Sequence, residues 1–435
     1  MKLRSLIVAT LVLLALVGTL YWSEHRKPKD EAAAQPTDAP SILKLDDATI
    51  TRIEIKKKGD DPIVLSRDSG SWKIIQPKPL AADPGTVSGL LSTLSSLNSE
   101  RLVEEKATDF RQYGLDAPSV EVDISEKDNK TQRLLTGDDT PAGSAVYAML
   151  AGDPRVFTIA SYSKTGVDKS LNDLRDKRLL TVSPDKISRL EVAVKGQTIE
   201  FGRNQEGWQI LQPKPLRADS TQISELVRKL TDARMDLSAD PKAGGSAFAR
   251  GTLEATVKIT DPSGVQELQI HKSKDSYYAK SSAVEGVYKV EADLARAIGK
   301  GLDDFRNKKL FDFGYRDPEK LEMHVGAKAY FLGRSGSDWW SNGKKEDVAS
   351  VEALVSKLRD LGASQFVESG FVNAAIAVTV TSDDGKRVER VSIAKSGDGY
   401  IAKRENEPTL YELDSGSVGE LLKTADEIKL AANGK

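Results

Sequence analysis

Asp83, Asp219 and Asp347 recur in one setting along the 435-residue chain, each just ahead of an apolar helical pattern. Carboxylates repeated in register could serve metal binding or general acid–base catalysis, chemistry that needs several such groups to converge on one point. One carboxylate per helix start is also what capping requires. There a side-chain oxygen accepts from free backbone N–H groups and contributes about 1 kcal/mol, and capping is the reading adopted here. His25, His271 and His324 have no metal-ligand spacing, and no HExxH, GxSxG, Walker A or GxGxxG motif occurs. "TSDDGK", around Asp383 and Asp384, resembles the start of a calcium loop but lacks the closing Glu, and a hairpin turn explains it. "TGDDTPAGS", Thr136 to Ser144, reads as a solvated acidic loop, and Trp339-Trp340 as an aromatic pair able to stack on a sugar ring. No catalytic residue, cofactor or metal is expected.

A second kind of candidate is a lysine held between prolines. "WKIIQPKPLAAD" begins at Trp72 and "WQILQPKPLRAD" at Trp208, 136 residues later (208 − 72). Trp72 and Trp208 read as aromatics anchoring short strands. Pro77, Pro79, Pro213 and Pro215 fix φ and favour an extended connector that leads from strand to helix and presents Lys78 and Lys214 at its surface. These eight residues form the candidate interaction surface.

The elements that would position them recur with the string. Val87, Leu90, Leu91 and Leu94 align with Ile223, Leu226, Val227 and Leu230, an i, i+3, i+4, i+7 stripe of an amphipathic helix. Pro84 stands at the first helical position of copy one. A third copy keeps the stripe in Val351, Leu354, Val355 and Leu358. With Trp340 as its tryptophan it has lost four residues and both prolines. Downstream, "VEVDISEKDNKTQRLL", "ATVKITDPSGVQELQI" and "IAVTVTSDDGKRVERVSI" each predict two alternating strands about a polar turn. Tyr147, Tyr278 and Tyr400 then fall in register as sheet-face packing residues, and "LNDLRDKRLL" and "LDDFRNKKL" predict a closing helix. The fold class expected is α+β: three tandem modules, residues 42–181, 182–310 and 311–435, each a mostly antiparallel sheet with one or two packed helices.

Ahead of the modules, Lys2 and Arg4 precede an apolar run from Leu6 to Trp22, about 25 Å long as a helix and sufficient to cross a bilayer. The run lacks a good small-x-small cleavage site and ends in Tyr21-Trp22, an interfacial pair, so residues 1–24 predict an uncleaved signal anchor and 25–41 a flexible spacer. The flanking charges nearly balance; the short N-terminal flank points to a cytoplasmic N-terminus and an extracytoplasmic body in a bacterial inner membrane. The chain has 39% hydrophobic and 29% charged residues, sufficient for globular cores. A net charge of −2 gives no electrostatic reason to bind nucleic acid. The absence of cysteine removes disulfides, thiol catalysis, thiolate metal sites and a lipidated N-terminus.

The anchor, "SWKIIQPKPLAAD", "YGLDAPSVEVDI" and "LNDLRDKRLL" together resemble the bacterial domain-of-unknown-function family numbered forty-three forty. Tyr113, Gly114, Leu115 and Pro118 match its "YGLd-P" stretch, which copies two and three lack. The resemblance implies a membrane-anchored protein associated with ABC transporters of the gliding-motility type, and carries no catalytic residue. The functional expectation is therefore a non-enzymatic accessory or scaffold with ABC transporter subunits as partners. The alternative is a protein binding envelope glycan or another polymer through equivalent aromatic surfaces on successive modules.

Overall fold

The computed structural model describes residues 41–431 apart from Asn129, Glu206, Ala239 and Asp240. The expected anchor, His25 and the spacer up to Pro40 lie outside the described residues. Among those described, no helix is long and apolar enough to cross a membrane.

The architecture is α+β: three antiparallel sheets, of nine, eight and nine strands, with nine α-helices among the described residues. The chain divides between Lys177 and Arg178 into two compact units, the first holding one sheet and the second two. Three separate apolar cores run from Ile42 to Leu174, from Leu179 to Phe305 and from Leu310 to Ala425.

The first sheet shows the plan. Strands Ile50–Lys57, Ile63–Asp68, Ser71–Gln76 and Leu80–Ala81 run as an antiparallel meander out to one edge. Helix Pro84–Ser95 crosses one face, and strand Arg101–Glu104 takes the opposite edge, paired with Val156–Ala160. The long hairpin Val120–Glu126 and Thr131–Asp139 fills the centre, with Val120–Glu126 antiparallel to Ile50–Lys57 (Ile53 opposite Ile124, Ile55 opposite Val122). Alternation puts Ile53, Ile55, Val122 and Ile124 on the helix side, where Val87, Leu90, Leu91 and Leu94 meet them. All eight are buried, each stabilising the fold by roughly 1.5–3 kcal/mol relative to exposure. The predicted hairpins appear in the other sheets as Thr252–Asp261 with Gly264–Ser273 and Ala374–Ser382 with Arg387–Ser396.

The first two modules carry more helix than the one or two expected, three and four α-helices among the described residues, while the third has two. "LNDLRDKRLL" and "LDDFRNKKL" are not closing helices: only Leu171–Leu174 and Leu302–Phe305 are helical, and the chain then runs on extended. In the first, a capping box satisfies the short turn, Asp173 N donating to Ser170 Oγ and Ser170 N to Asp173 Oδ2 (3.2 and 2.9 Å). The main second helices precede these turns, at Ser161–Val167, Ala292–Ile298 and, in the third module, Ser415–Asp426.

The middle sheet lacks the ninth strand. Arg101–Glu104 and Gln365–Val367 close the other two sheets, whereas in the middle one helix Pro241–Arg250 packs beside the last strand, Val287–Val290. Proline cannot donate to a ladder but suits a helix start. Gly244 allows the close approach, because a Cβ there would stand 3.0 Å from the Val287 carbonyl oxygen. The "YGL" stretch of the first module covers the outer face of its own sheet: Tyr113 and Leu115 pack with Met149 and Tyr147 in a small separate cluster. Gly137 lies beneath it, where a Cβ would come within 2.0 Å of the Tyr113 carbonyl oxygen.

Candidate functional site

The proline elements are tight corners rather than extended connectors. Both Gln76–Pro77 and Gln212–Pro213 are cis peptides, and the chain folds back so that Leu80–Ala81 and Leu216–Arg217 pair with the strand just left (Ile74 opposite Leu80, Ile210 opposite Leu216). A cis X–Pro bond reverses the chain where a trans bond would extend it. Pro77, Lys78, Pro79, Pro213, Lys214 and Pro215 are all exposed, and Lys78 and Lys214 have no hydrogen-bond or ion-pair partner among the described residues. Beside each corner an apolar residue, Ile75 or Leu211, is also exposed. Trp208 is buried with the Arg203 guanidinium 5.8 Å from its ring centre, and Trp72 is half-buried.

The three aspartates are helix caps. Asp83 Oδ1 accepts from Thr86 N (2.7 Å), Asp219 Oδ1 from Thr221 N (2.9 Å) and Gln222 N (3.1 Å), and Asp347 Oδ1 from Ser350 N (3.0 Å). Each carboxylate thereby satisfies backbone donors of its own helix. Among the described residues no three His, Asp or Glu side chains are grouped to hold a metal.

Two assignments in the third copy change. The residue equivalent to Trp72 and Trp208 is Trp339, since Arg67, Arg203 and Arg334 stand opposite the three in turn. Trp339 is 1% exposed and Trp340 40% exposed, because neighbours on a strand face opposite ways. The loss is then three residues: Asp83 follows Trp72 by 11, and Asp347 follows Trp339 by 8. Asn342 and Gly343, both at positive φ, make a two-residue turn that replaces the proline corner, with Ser341 opposite Lys344. Likewise Tyr400 is not equivalent to Tyr147 and Tyr278. Ala148, Ala279 and Ala402 share one register position, which makes Tyr277 the counterpart of Tyr400 and Ile401 that of Tyr278. A one-residue slip moves a side chain to the other face of the sheet.

His271 is structural: its ring stacks on Phe248 (centroids 3.7 Å apart) and its Nδ1 lies 2.9 Å from the Phe248 carbonyl oxygen. His324 meets the edge of Phe331 (5.4 Å). Asp383 and Asp384 take positive φ at the tip of a hairpin, as the turn reading requires.

Of the three positions at which the two twelve-residue strings differ, one matters most: Arg217 stands where the first copy has Ala81. Its Nη2 lies 2.6 Å from both carboxylate oxygens of Asp312, and its Nη1 donates to the Lys309 carbonyl (2.9 Å) and the Tyr411 hydroxyl (3.1 Å). Tyr411 in turn donates to Glu407 (2.7 Å), and Arg404 pairs with Glu407 (2.9 Å) and Glu389 (3.1 Å). Burial pushes the Tyr411 phenol well above its ordinary value, with Glu407 adding to the shift against the opposing pull of Arg217. The network ties the second module's corner to the third module, and a polar cleft of ≈ 540 Å³ opens beside it, bordered by Trp208, Pro215 and Arg387. Sequence reasoning missed Arg217; the single Ala-to-Arg change inside a repeated string was the available signal.

A family model described as "Domain of unknown function (DUF4340)" matches residues 72–245 and again 208–384. The matches begin at Trp72 and Trp208, 136 residues apart (208 − 72), so the family unit repeats with the corner string and straddles the sheet modules. No curated protein matches the chain. Among solved structures, the DNA polymerase III subunit beta from Pseudomonas aeruginosa matches at TM-score 0.15 and 8% identity, over 86% of this chain and 94% of that one, a likeness too slight to support an argument.

Proposed function

This chain belongs to the family described as "Domain of unknown function (DUF4340)", and from that premise we propose that it is a non-catalytic accessory or scaffold protein of an ABC-type transport system. In this reading the N-terminal apolar run tethers it to the bacterial inner membrane, with the modules outside the cytoplasm. The observation that carries the reading is the pair of proline corners. Each projects a lysine without a partner among the described residues, Lys78 or Lys214, and an exposed apolar residue, Ile75 or Leu211, from a module with its own apolar core. A backbone held in one shape by two prolines loses little entropy when a partner covers it, and two such corners on one tethered chain add their affinities. The ion pairs around Arg217 fit the same role, since they fasten one module to the next.

The test is photo-crosslinking from positions 78 and 214 of the full chain in its native membrane, with mass spectrometry of the products. Capture of permease or ATPase subunits from both positions, lost when the chain begins at Ser41, is the expected result. Capture of envelope polymer without transporter subunits overturns the reading.

A further inference from the structure

The first and second modules carry clefts at the same place, between the C-terminal end of the crossing helix, the segment that follows it and the start of helix Ser161–Val167 or Ala292–Ile298. In the first module the cleft holds ≈ 250 Å³ and is bordered by Ser92, Asn98, Glu100, Tyr162 and Ser163. In the second it holds ≈ 730 Å³, and the equivalent positions are Arg228, Arg234, Asp236, Asp293 and Leu294.

The difference lies in what the polar groups do. In the second module they satisfy one another: Arg228 pairs with Glu225 (2.6 Å) and Asp232 (3.4 Å), Lys229 with Asp293 (3.7 Å), and Asp236 accepts from Ser238 N (2.9 Å). In the first, the Asn98 amide, the Glu100 carboxylate, the Ser92 and Ser163 hydroxyls and the Tyr162 hydroxyl make no hydrogen bond or ion pair among the described residues. Ser163 is a buried residue, yet its hydroxyl has no partner and is not sealed off, so it opens into the cleft. The backbone beneath is fixed, Glu100 N donating to the Thr158 carbonyl (2.7 Å) and Ile42 N to that of Leu97 (3.3 Å). Tyr162 stands at the rim 81% exposed, an aromatic ring with nothing stacked on it among the described residues.

We propose that this cleft binds one neutral pyranose unit, as a free sugar or as the end of a glycan. Glu100 and Asn98 accept and donate to adjacent ring hydroxyls, Ser163 reaches a third, and the apolar C–H face of the ring lies on Tyr162. A volume below the roughly 300–1,000 Å³ of pockets for drug-sized ligands admits one ring rather than a chain. Among the described residues no cation borders the cleft, and the Glu100 carboxylate disfavours an anionic sugar or a phosphate. The site is independent of the transport reading, because neither proline corner contributes to it.

The test is saturation-transfer NMR and calorimetric titration of the purified full chain in detergent with glucose and with N-acetylglucosamine. Saturable binding of at least one sugar in the millimolar range is expected, weakened roughly tenfold or more by Tyr162→Ala and by Glu100→Gln and unchanged by Asp293→Ala. Both informative substitutions are at exposed positions, and an unchanged melting temperature shows that the fold is retained. Absence of saturable binding by both sugars, binding indifferent to both substitutions, or equal competition by glycerol, which has no ring face, each overturns the proposal.

Discussion

The corner at residues 72–83 and the corner at 208–219 differ at only three of twelve positions, Lys73 against Gln209, Ile75 against Leu211 and Ala81 against Arg217. Their backbones agree in the cis peptide, the return strand and the capped helix. What each corner is fastened to differs. Ala81 is exposed, while Arg217 is drawn into a cluster with Asp312, Glu407 and Tyr411 of the next module. A short local string therefore sets the shape of the corner, and one side chain within it sets the connection.

The comparison breaks most visibly at the tryptophans. Trp208→Ala is expected to destabilise the second unit by about 3–5 kcal/mol, because a large side chain leaves a closed core. Trp72→Ala, at a half-buried site, is expected to cost about half as much. Equal losses in denaturant titrations would show that the two strands are packed alike.

Arg217→Ala comes next. It leaves Asp312 and Glu407 with Arg404 alone of the two cations they share, at a site only partly open to water, at a cost of roughly 2–3 kcal/mol, below the 3–5 of a fully buried pair. Calorimetry should show a fall of roughly 5–10 °C in the melting of the unit that begins at Arg178. The reverse change, Ala81→Arg, is expected to stay within about 0.5 kcal/mol.

Capping is where the copies should agree. Asp83→Ala, Asp219→Ala and Asp347→Ala are each expected to cost about 1 kcal/mol, since each removes an acceptor from N–H groups at a helix start. A loss several times larger at one of them, or loss of partner or ligand binding with stability intact, would indicate a further role for that carboxylate.

The smallest expected effect concerns the third copy, whose corner has neither prolines nor Arg217. Its last helix is joined to strand Lys328–Ser335 by Tyr330, which donates to Asp426 (2.5 Å) beside Lys328 (2.7 Å). Burial, with Asp426 beside it, pushes the Tyr330 phenol up to about 12 from 10.0. A raised pKa means stability that is complete below about 10 and lost as pH rises through about 12. Alkaline melting curves of Tyr330→Phe should therefore lose less stability in that interval than those of the wild-type chain, with the raised phenols of Tyr113 and Tyr411 accounting for the loss that remains.

Much of the fold was legible because it is local. The apolar stripe of each crossing helix, its aspartate cap and the alternation of each long hairpin are set by neighbours a few residues apart, and period and turn chemistry reveal them. The candidate corners were legible as a repeat, although not as reversals. Cis and trans X–Pro differ by under about 1 kcal/mol in the chain itself, and surrounding contacts choose between them. The segment after the crossing helix was not legible at all: the same topological position holds strand Arg101–Glu104, helix Pro241–Arg250 or strand Gln365–Val367.

By itself the amino-acid sequence determined the α+β class, the repeat of 136 residues between corners, the caps and the hairpins, since each follows from short-range sterics and hydrogen bonding. Only the tertiary structure decided that Trp339 rather than Trp340 turns inward, that Arg217 meets Asp312 and Tyr411, 95 and 194 residues further on, and that Asn98, Glu100, Tyr162 and Ser163 surround one cleft. Those facts depend on which elements lie side by side, and packing among distant segments sets that where local propensity is indifferent.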